Sequence, residues 1–213
     1  MSKACHICGH AEGQLGSVFC SSGMHLPAQS AYPGMIIVPE VKPALKRAKR
    51  RSDLCDADYA IFFDIDGCFH PQGAPKWARD GDLLPTSDPL FIWAEAFEEI
   101  IKPYHNVPLI CHSMWRMITT QGVLYRALPP VMQSRYLDCT SGNDRYGSIQ
   151  SFAEAFGFKK YIIIDDDASE FPKKLDNFVE CNSHTGMSCS TAQASLRHKL
   201  LTLFGPPPPP EED

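Results

Sequence analysis

Three short, continuous apolar runs, each ending in polar residues fit for chemistry, constrain this chain more than any other feature. Residues 59–63 (Tyr-Ala-Ile-Phe-Phe) lead into Asp64, residues 107–111 (Val-Pro-Leu-Ile-Cys) towards Ser113, and residues 161–164 (Tyr-Ile-Ile-Ile) into Asp165. Each run is too short for a buried helix and rich in β-prone residues, so each reads as a strand. The runs are continuous rather than alternating, the pattern of strands covered on both faces. An α/β fold with a mostly parallel sheet flanked by helices is therefore expected.

The intervening sequence supplies the helices. Residues 87–102 open with Ser-Asp-Pro, carry Leu90, Trp93, Phe97, Ile100 and Ile101 on one face, and stop at Pro103, which predicts a helix across the whole stretch. Ile149, Phe152, Ala153 and Phe156 before Gly157, and Leu196, Leu200, Leu203 and Phe204 before Gly205, predict two more. Residues 135–139 and 178–181 are further strand candidates.

The two ends have a different texture. Residues 1–52 carry seven basic and two acidic residues, a net +5, so the rest of a chain whose total is −5 carries −10. That segment is rich in Gly, Ser, Cys and His without sustained periodicity. Residues 206–210 are all proline and three acids follow, a composition that cannot pack as helix or central strand. The expected organisation is an N-terminal Cys/His-containing, basic segment over 1–52, one domain over 53–205, and a Pro-rich acidic tail over 206–213. No apolar run approaches the roughly 18 residues of a spanning helix, and no secretory signal pattern opens the chain, so a cytoplasmic protein without membrane contact is expected.

The nine cysteines are odd in number and scattered through strand-like segments, which argues for buried thiols or metal ligands over a disulfide framework. Cys5, Cys8, Cys20 and His25 have the residue types of a tetrahedral zinc site, the first two at the usual half-site spacing; a flexible segment with incidental thiols is the other reading. The basic run over 42–51 reads as a solvated linker or as a nucleic-acid docking stretch.

In open α/β sheets, ligands bind at the carboxyl ends of the strands. Those positions here hold Asp64, Asp66 and Gly67 after the first run, Ser113, Trp115 and Arg116 after the second, and Asp165, Asp166 and Asp167 after the third. Residues i and i+2 of an extended segment point the same way, so Asp64 and Asp66 can address one site while Gly67 lets the chain turn away. Carboxylates this close repel unless a cation joins them. An oxygen-only donor set favours a hard ion, and Mg²⁺ suits a site with few carboxylates and positions left for water and phosphate. Asp167 also suits a cap on the following turn, Trp115 suits core packing, and Arg116 and His70 suit either a substrate contact or an ordinary structural role.

These motifs, in this order, resemble the haloacid dehalogenase (HAD) superfamily of phosphotransferases. Asp64-Ile-Asp66-Gly67 is similar to motif I, Ser113 to motif II, Arg145 at the mouth of a helix to the basic residue of motif III, and Ile-Ile-Ile-Asp165-Asp166 to motif IV. More narrowly, Asp-Gly-x-x-His70-Pro71, Ser113-x-Trp115-Arg116 and the Asp-Asp-Asp cluster resemble the small HAD domains grouped with Swiss-army-knife RNA repair proteins. The resemblance implies a Mg²⁺-dependent phosphatase working through an aspartyl-phosphate. Asp64 would be the nucleophile and Asp66 the general acid and base. Mg²⁺ would be held by the Asp64 carboxylate, the Asp66 backbone carbonyl and Asp165 or Asp166, and the phosphoryl oxygens by Ser113 and Arg145, with Arg116 a further substrate contact. Asp64 and Ser113 lie 49 positions apart and Ser113 and Arg145 lie 32 apart, which leaves little room for a cap domain. A capless, open site implies a macromolecular phosphate such as a nucleic-acid end. A catalytically silent nucleic-acid or protein binding module and a small-metabolite phosphatase are the alternatives.

Overall fold

A computed structural model describes Leu54, residues 57–84 and 89–207, and Pro209. In chain order, β1 (Tyr59–Phe63) is followed by a hairpin of β2 (Lys76–Trp77) and β3 (Leu83–Leu84), then α1 (Ala94–Ile101) and β4 (Leu109–Cys111). Three short helices, α2 (Trp115–Ile118), α3 (Gln121–Ala127) and α4 (Pro130–Arg135), lead to β5 (Tyr136–Cys139). The chain continues through α5 (Arg145–Phe156), β6 (Lys160–Asp165), β7 (Phe178–Glu180) and α6 (Ser190–Lys199), whose last turns widen into a π-helix over Leu200–Phe204.

Five strands form one sheet in the order β5-β4-β1-β6-β7, and every pairing in it is parallel. Alternate residues of β1 face opposite sides, as strand geometry demands. Ile61 and Phe63 enter a core packed by α1 and α6 through Phe97, Ile100, Ile101, Ala192 and Leu196. Ala60 and Phe62 enter a second core, on the other side, packed by Ile149 and Ala153 of α5. Phe62, Phe63, Ile61 and Ile163 are fully buried, each stabilising the fold by roughly 1.5–3 kcal/mol. The expected α/β architecture is thus present, with helices on both faces of the sheet.

The order of the strands places the site. From β1 the chain moves outward to β4 and β5, then crosses back to β6 and β7 on the other side of β1. Ligand crevices form at such a reversal. The register pairs Phe63 with Ile164 and with Cys111, so Asp64, Asp165 and His112 emerge side by side at one sheet edge.

One local expectation changes. The helix expected over 87–102 begins only at Ala94, and Ser87 and Asp88 lie outside the described residues. The reason is where the preceding amides point. Phe91 takes a left-handed conformation (φ 58°) and its N–H donates to His70 Nδ1 at 3.3 Å, while the Trp93 N–H donates to the Phe69 carbonyl at 3.0 Å. Tertiary partners thus replace the intrahelical bonds that the apolar stripe suggested. The span of 32 positions from Ser113 to Arg145 holds three short helices and the strand expected over 135–139. Neither this segment nor the β2–β3 hairpin adds a cap domain among the described residues. Cys5, Cys8, Cys20, His25 and the basic run over 42–51 lie outside the described residues.

Candidate active site

Asp64, Asp66, Ser113, Arg145, Asp166 and Asp167 line one cleft of about 300 Å³, together with Gln72, Gly73 and Met114. Asp64 leaves β1 with its N–H donating to the Ile164 carbonyl at 2.9 Å, which carries the β1–β6 ladder up to the residue that enters the cleft. Carboxylate oxygens of Asp64, Asp165 and Asp166 lie within 4.8 Å of one another.

Arg145 is the one basic side chain of this cleft. It opens α5, which Asp144 caps by accepting the Gly147 N–H at 3.2 Å. Its Nη1 donates to Asp165 Oδ2 at 2.6 Å and reaches Asp64 Oδ2 at 3.5 Å, and its Nε lies 3.1 Å from Glu170 Oε2. These carboxylates raise the arginine's already high pKa against the opposing cost of burial. One guanidinium does not balance the carboxylates around it. Burial pushes the Asp64 carboxyl up to about 6, against the downward pull of Arg145 and the Ser113 hydroxyl. Burial and then the charge of Asp64 push Asp165 to about 7, again opposed by Arg145. Asp64 Oδ1 is buried and has no hydrogen-bond partner.

Asp66 is held differently. Its Oδ1 accepts from His70 Nε2 at 2.9 Å and its Oδ2 from Trp115 Nε1 at 2.8 Å. The loop between them closes through the Gly67 N–H on the His70 carbonyl at 2.8 Å. Gly67 has φ 72°, and a Cβ there would lie 2.1 Å from Asp166 Oδ2, so only glycine lets the two acidic strand ends meet. Asp166 accepts from Gln72 Nε2 at 2.7 Å. Asp167 caps the next turn, its Oδ1 accepting from the Ser169 N–H at 3.0 Å and from the Ser169 hydroxyl at 2.6 Å.

Arg116 is not brought into the cleft. Its Nη1 donates to the carbonyls of His112 and Ser113, and its Nη2 to the Gly142 carbonyl at 3.0 Å, so its guanidinium ties the loop after β4 to the loop after β5. Three residues outside the sequence motifs do take part. Gln72 and Glu170 partner Asp166 and Arg145; no spacing announced either. His112 is fully buried beneath Asp165, its Nδ1 3.6 Å from Asp165 Oδ2 and its Nε2 3.2 Å from the Ile164 carbonyl. Burial, and next the charge of Arg145, lower its pKa to about 3, so the ring is neutral.

The family described as the HAD domain in Swiss Army Knife RNA repair proteins matches residues 60–192, which span β1 through the start of α6. The chain belongs to that family. The match takes in every strand of the sheet and all the cleft residues named above, so the resemblance carried by Asp64, Ser113, Arg145 and Asp165 is a family membership. No curated protein and no solved structure matches. No helix among the described residues of this HAD protein is long and apolar enough to cross a membrane.

The residues present fit a divalent cation. The donor set is all oxygen, two of its carboxyls are pushed well above their ordinary range by burial and by the charge of a neighbouring carboxylate, and Asp64 Oδ1 is a buried acceptor without a donor.

Proposed function

We propose that this HAD domain is a Mg²⁺-dependent phosphatase that hydrolyses phosphoric monoesters through an aspartyl-phosphate on Asp64. The observation that carries this reading is the free Oδ1 of Asp64, a buried carboxylate oxygen with no donor on it, on the wall of a cleft that also holds a hydroxyl and a guanidinium.

Asp64 and Asp166, with Asp165 and the Asp66 backbone carbonyl, would hold the ion. When bound, Mg²⁺ supplies positive charge that lets a phosphate dianion approach a carboxylate. The remaining steps belong to the chain. Ser113 Oγ and Arg145 orient the phosphoryl group so that phosphorus faces Asp64 Oδ1. Oδ1 attacks phosphorus, the bond to the leaving oxygen breaks, and that oxygen keeps the electron pair and takes a proton from Asp66. Water then gives a proton to the Asp66 carboxylate and attacks the same phosphorus. The bond to Oδ1 breaks, and Asp64 is restored as inorganic phosphate departs. Arg145 stays put throughout, fixed by Asp165 and Glu170.

The substrate class we propose is a macromolecular phosphate, a nucleic-acid end first. Two observations support it: the family's description refers to RNA repair, and the described residues add only a small hairpin and short helices around the cleft. Phosphate release from an aryl phosphate and from 5′- and 3′-phosphorylated oligonucleotides tests the proposal. Release should require Mg²⁺, stop with EDTA, and vanish in Asp64→Asn. A folded wild-type protein that releases phosphate from none of them contradicts it; faster release from sugar or nucleotide phosphates contradicts the substrate class alone.

A further inference from the structure

Phe91 is the single non-glycine residue with positive φ among the described residues, and nothing in the phosphatase chemistry above uses it. A bulky residue in that conformation costs of order 1–3 kcal/mol, and such strain persists where surrounding contacts hold it. The contact here is specific: the Phe91 N–H donates to His70 Nδ1. A ring nitrogen that accepts from an amide carries no proton, so the His70 proton sits on Nε2 and is donated to Asp66 Oδ1. The second oxygen of Asp66 accepts from the Trp115 indole, which cannot act as anything but a donor. His70 and Trp115 are fully buried, their rings 5.8 Å apart, and Phe91 packs against both. Trp77 of the β2–β3 hairpin meets Trp115 edge-on at 4.7 Å. The Asp66 side chain is 29 % exposed and lines the cleft.

We propose that His70 and Trp115 are positioning residues for the proton-transfer step, a neutral histidine and an indole that fix both oxygens of Asp66 so that its exposed edge meets the leaving oxygen. His70 is a fixed donor in this role and not a proton carrier, because Phe91 occupies the nitrogen that a relay would need. Each Asp66 oxygen uses one lone pair on its donor and keeps another for the proton it gives and takes. The role rests on the phosphatase reading.

The test compares kcat/KM, which covers events only up to departure of the leaving group, on two substrates. One is 4-nitrophenyl phosphate, whose leaving oxygen needs little help from an acid. The other is the 5′- or 3′-phosphorylated oligonucleotide, whichever wild type turns over faster. Trp115→Phe and His70→Leu should each lower kcat/KM on the oligonucleotide by about 100-fold and on 4-nitrophenyl phosphate by less than about 5-fold. His70→Gln, which keeps an N–H donor at similar reach, should recover most of the loss. Equal losses on both substrates, or no recovery with Gln, overturn the role while leaving the phosphatase reading in place. No phosphate release by wild type overturns both. A measurement that needs no turnover and no variant of His70 is its nitrogen-15 spectrum: an Nε2–H tautomer that shifts in Asp66→Asn supports the role, and an Nδ1–H tautomer overturns it.

Discussion

Asp64 and Asp66 stand two residues apart at the end of one strand, yet the fold treats them in opposite ways. Asp64 is almost fully buried, faces Asp165 and a guanidinium, and keeps one oxygen without a partner. Asp66 is partly exposed, lies against aromatic rings, and has both oxygens taken by neutral donors. The first environment is one of unbalanced charge and leaves an acceptor for an electrophile. The second has no charged partner and fixes direction. In the mechanism proposed above, identical side chains would thereby be prepared for different work, nucleophilic attack and proton transfer, by their surroundings.

Substitutions separate the two halves of that contrast. Asp64→Asn should remove turnover by at least about 10⁴-fold on every substrate, because it replaces the carboxylate proposed as the attacking group. A residual rate that depends on substrate would move the nucleophile elsewhere. Next in size is Arg145→Ala. It leaves buried Asp165 and Asp64 without their cation, and breaking such a pair costs about 3–5 kcal/mol. Denaturant unfolding in EDTA should show that loss, and Mg²⁺ should return part of it. If Mg²⁺ returns none, the carboxylates are not its ligands.

Gly67→Ala should cost about 1–3 kcal/mol and also weaken Mg²⁺ binding, since the new methyl meets the Asp166 carboxylate as well as an unfavourable φ. Asp66→Ala, on the other side of the contrast, should leave Mg²⁺ binding nearly unchanged in calorimetry. Equal weakening by both would erase the distinction between the two environments.

A gentler probe is pH. The folded pKa values of Asp64 and Asp165, about 6 and about 7, lie above their ordinary value of 3.8. In metal-free protein, the stability these two carboxyls contribute is therefore complete below about pH 4 and is lost as pH rises through 6 to 7. A cation requires the ionised form, so Mg²⁺ affinity should fall by up to about tenfold per pH unit as pH drops below 7, read by calorimetry at pH 8 and pH 6. His112 works in the other sense. With its folded pKa lowered to about 3, its contribution is present above about pH 6.5 and fades as pH falls. An affinity independent of pH would place the ion away from the buried pair.

The charged half of the site was more legible in the sequence than the aromatic half, for a physical reason. Asp64, Ser113 and Asp165 each terminate an apolar run, and a parallel sheet brings the ends of its strands together whatever the loops do. Their proximity follows from topology. The partners of Asp66 follow from tertiary geometry that no local pattern encodes: Trp115 lies 49 positions away, and a tryptophan beside a motif more often serves the core. It serves both here, buried in full with its one polar atom on Asp66. The apolar stripe over 87–102 misled for the same reason, since Phe91 and Trp93 direct their amides to His70 and Phe69 instead of along a helix. Arg116 had the residue type of a phosphate ligand, but carbonyls of its own loop and that of Gly142 in the loop after β5 take its Nη donors.

The most direct test of the account is to catch the phosphoryl group on its acceptor. Asp66→Asn should slow the second step by withdrawing the base while a 4-nitrophenyl leaving group still permits the first. Mixed with 4-nitrophenyl phosphate and Mg²⁺, quenched in acid and digested, that variant should yield a peptide phosphorylated at Asp64 and at no other position. A phosphoryl group on another residue, or none while wild type turns over, would contradict the assignment of Asp64 as nucleophile.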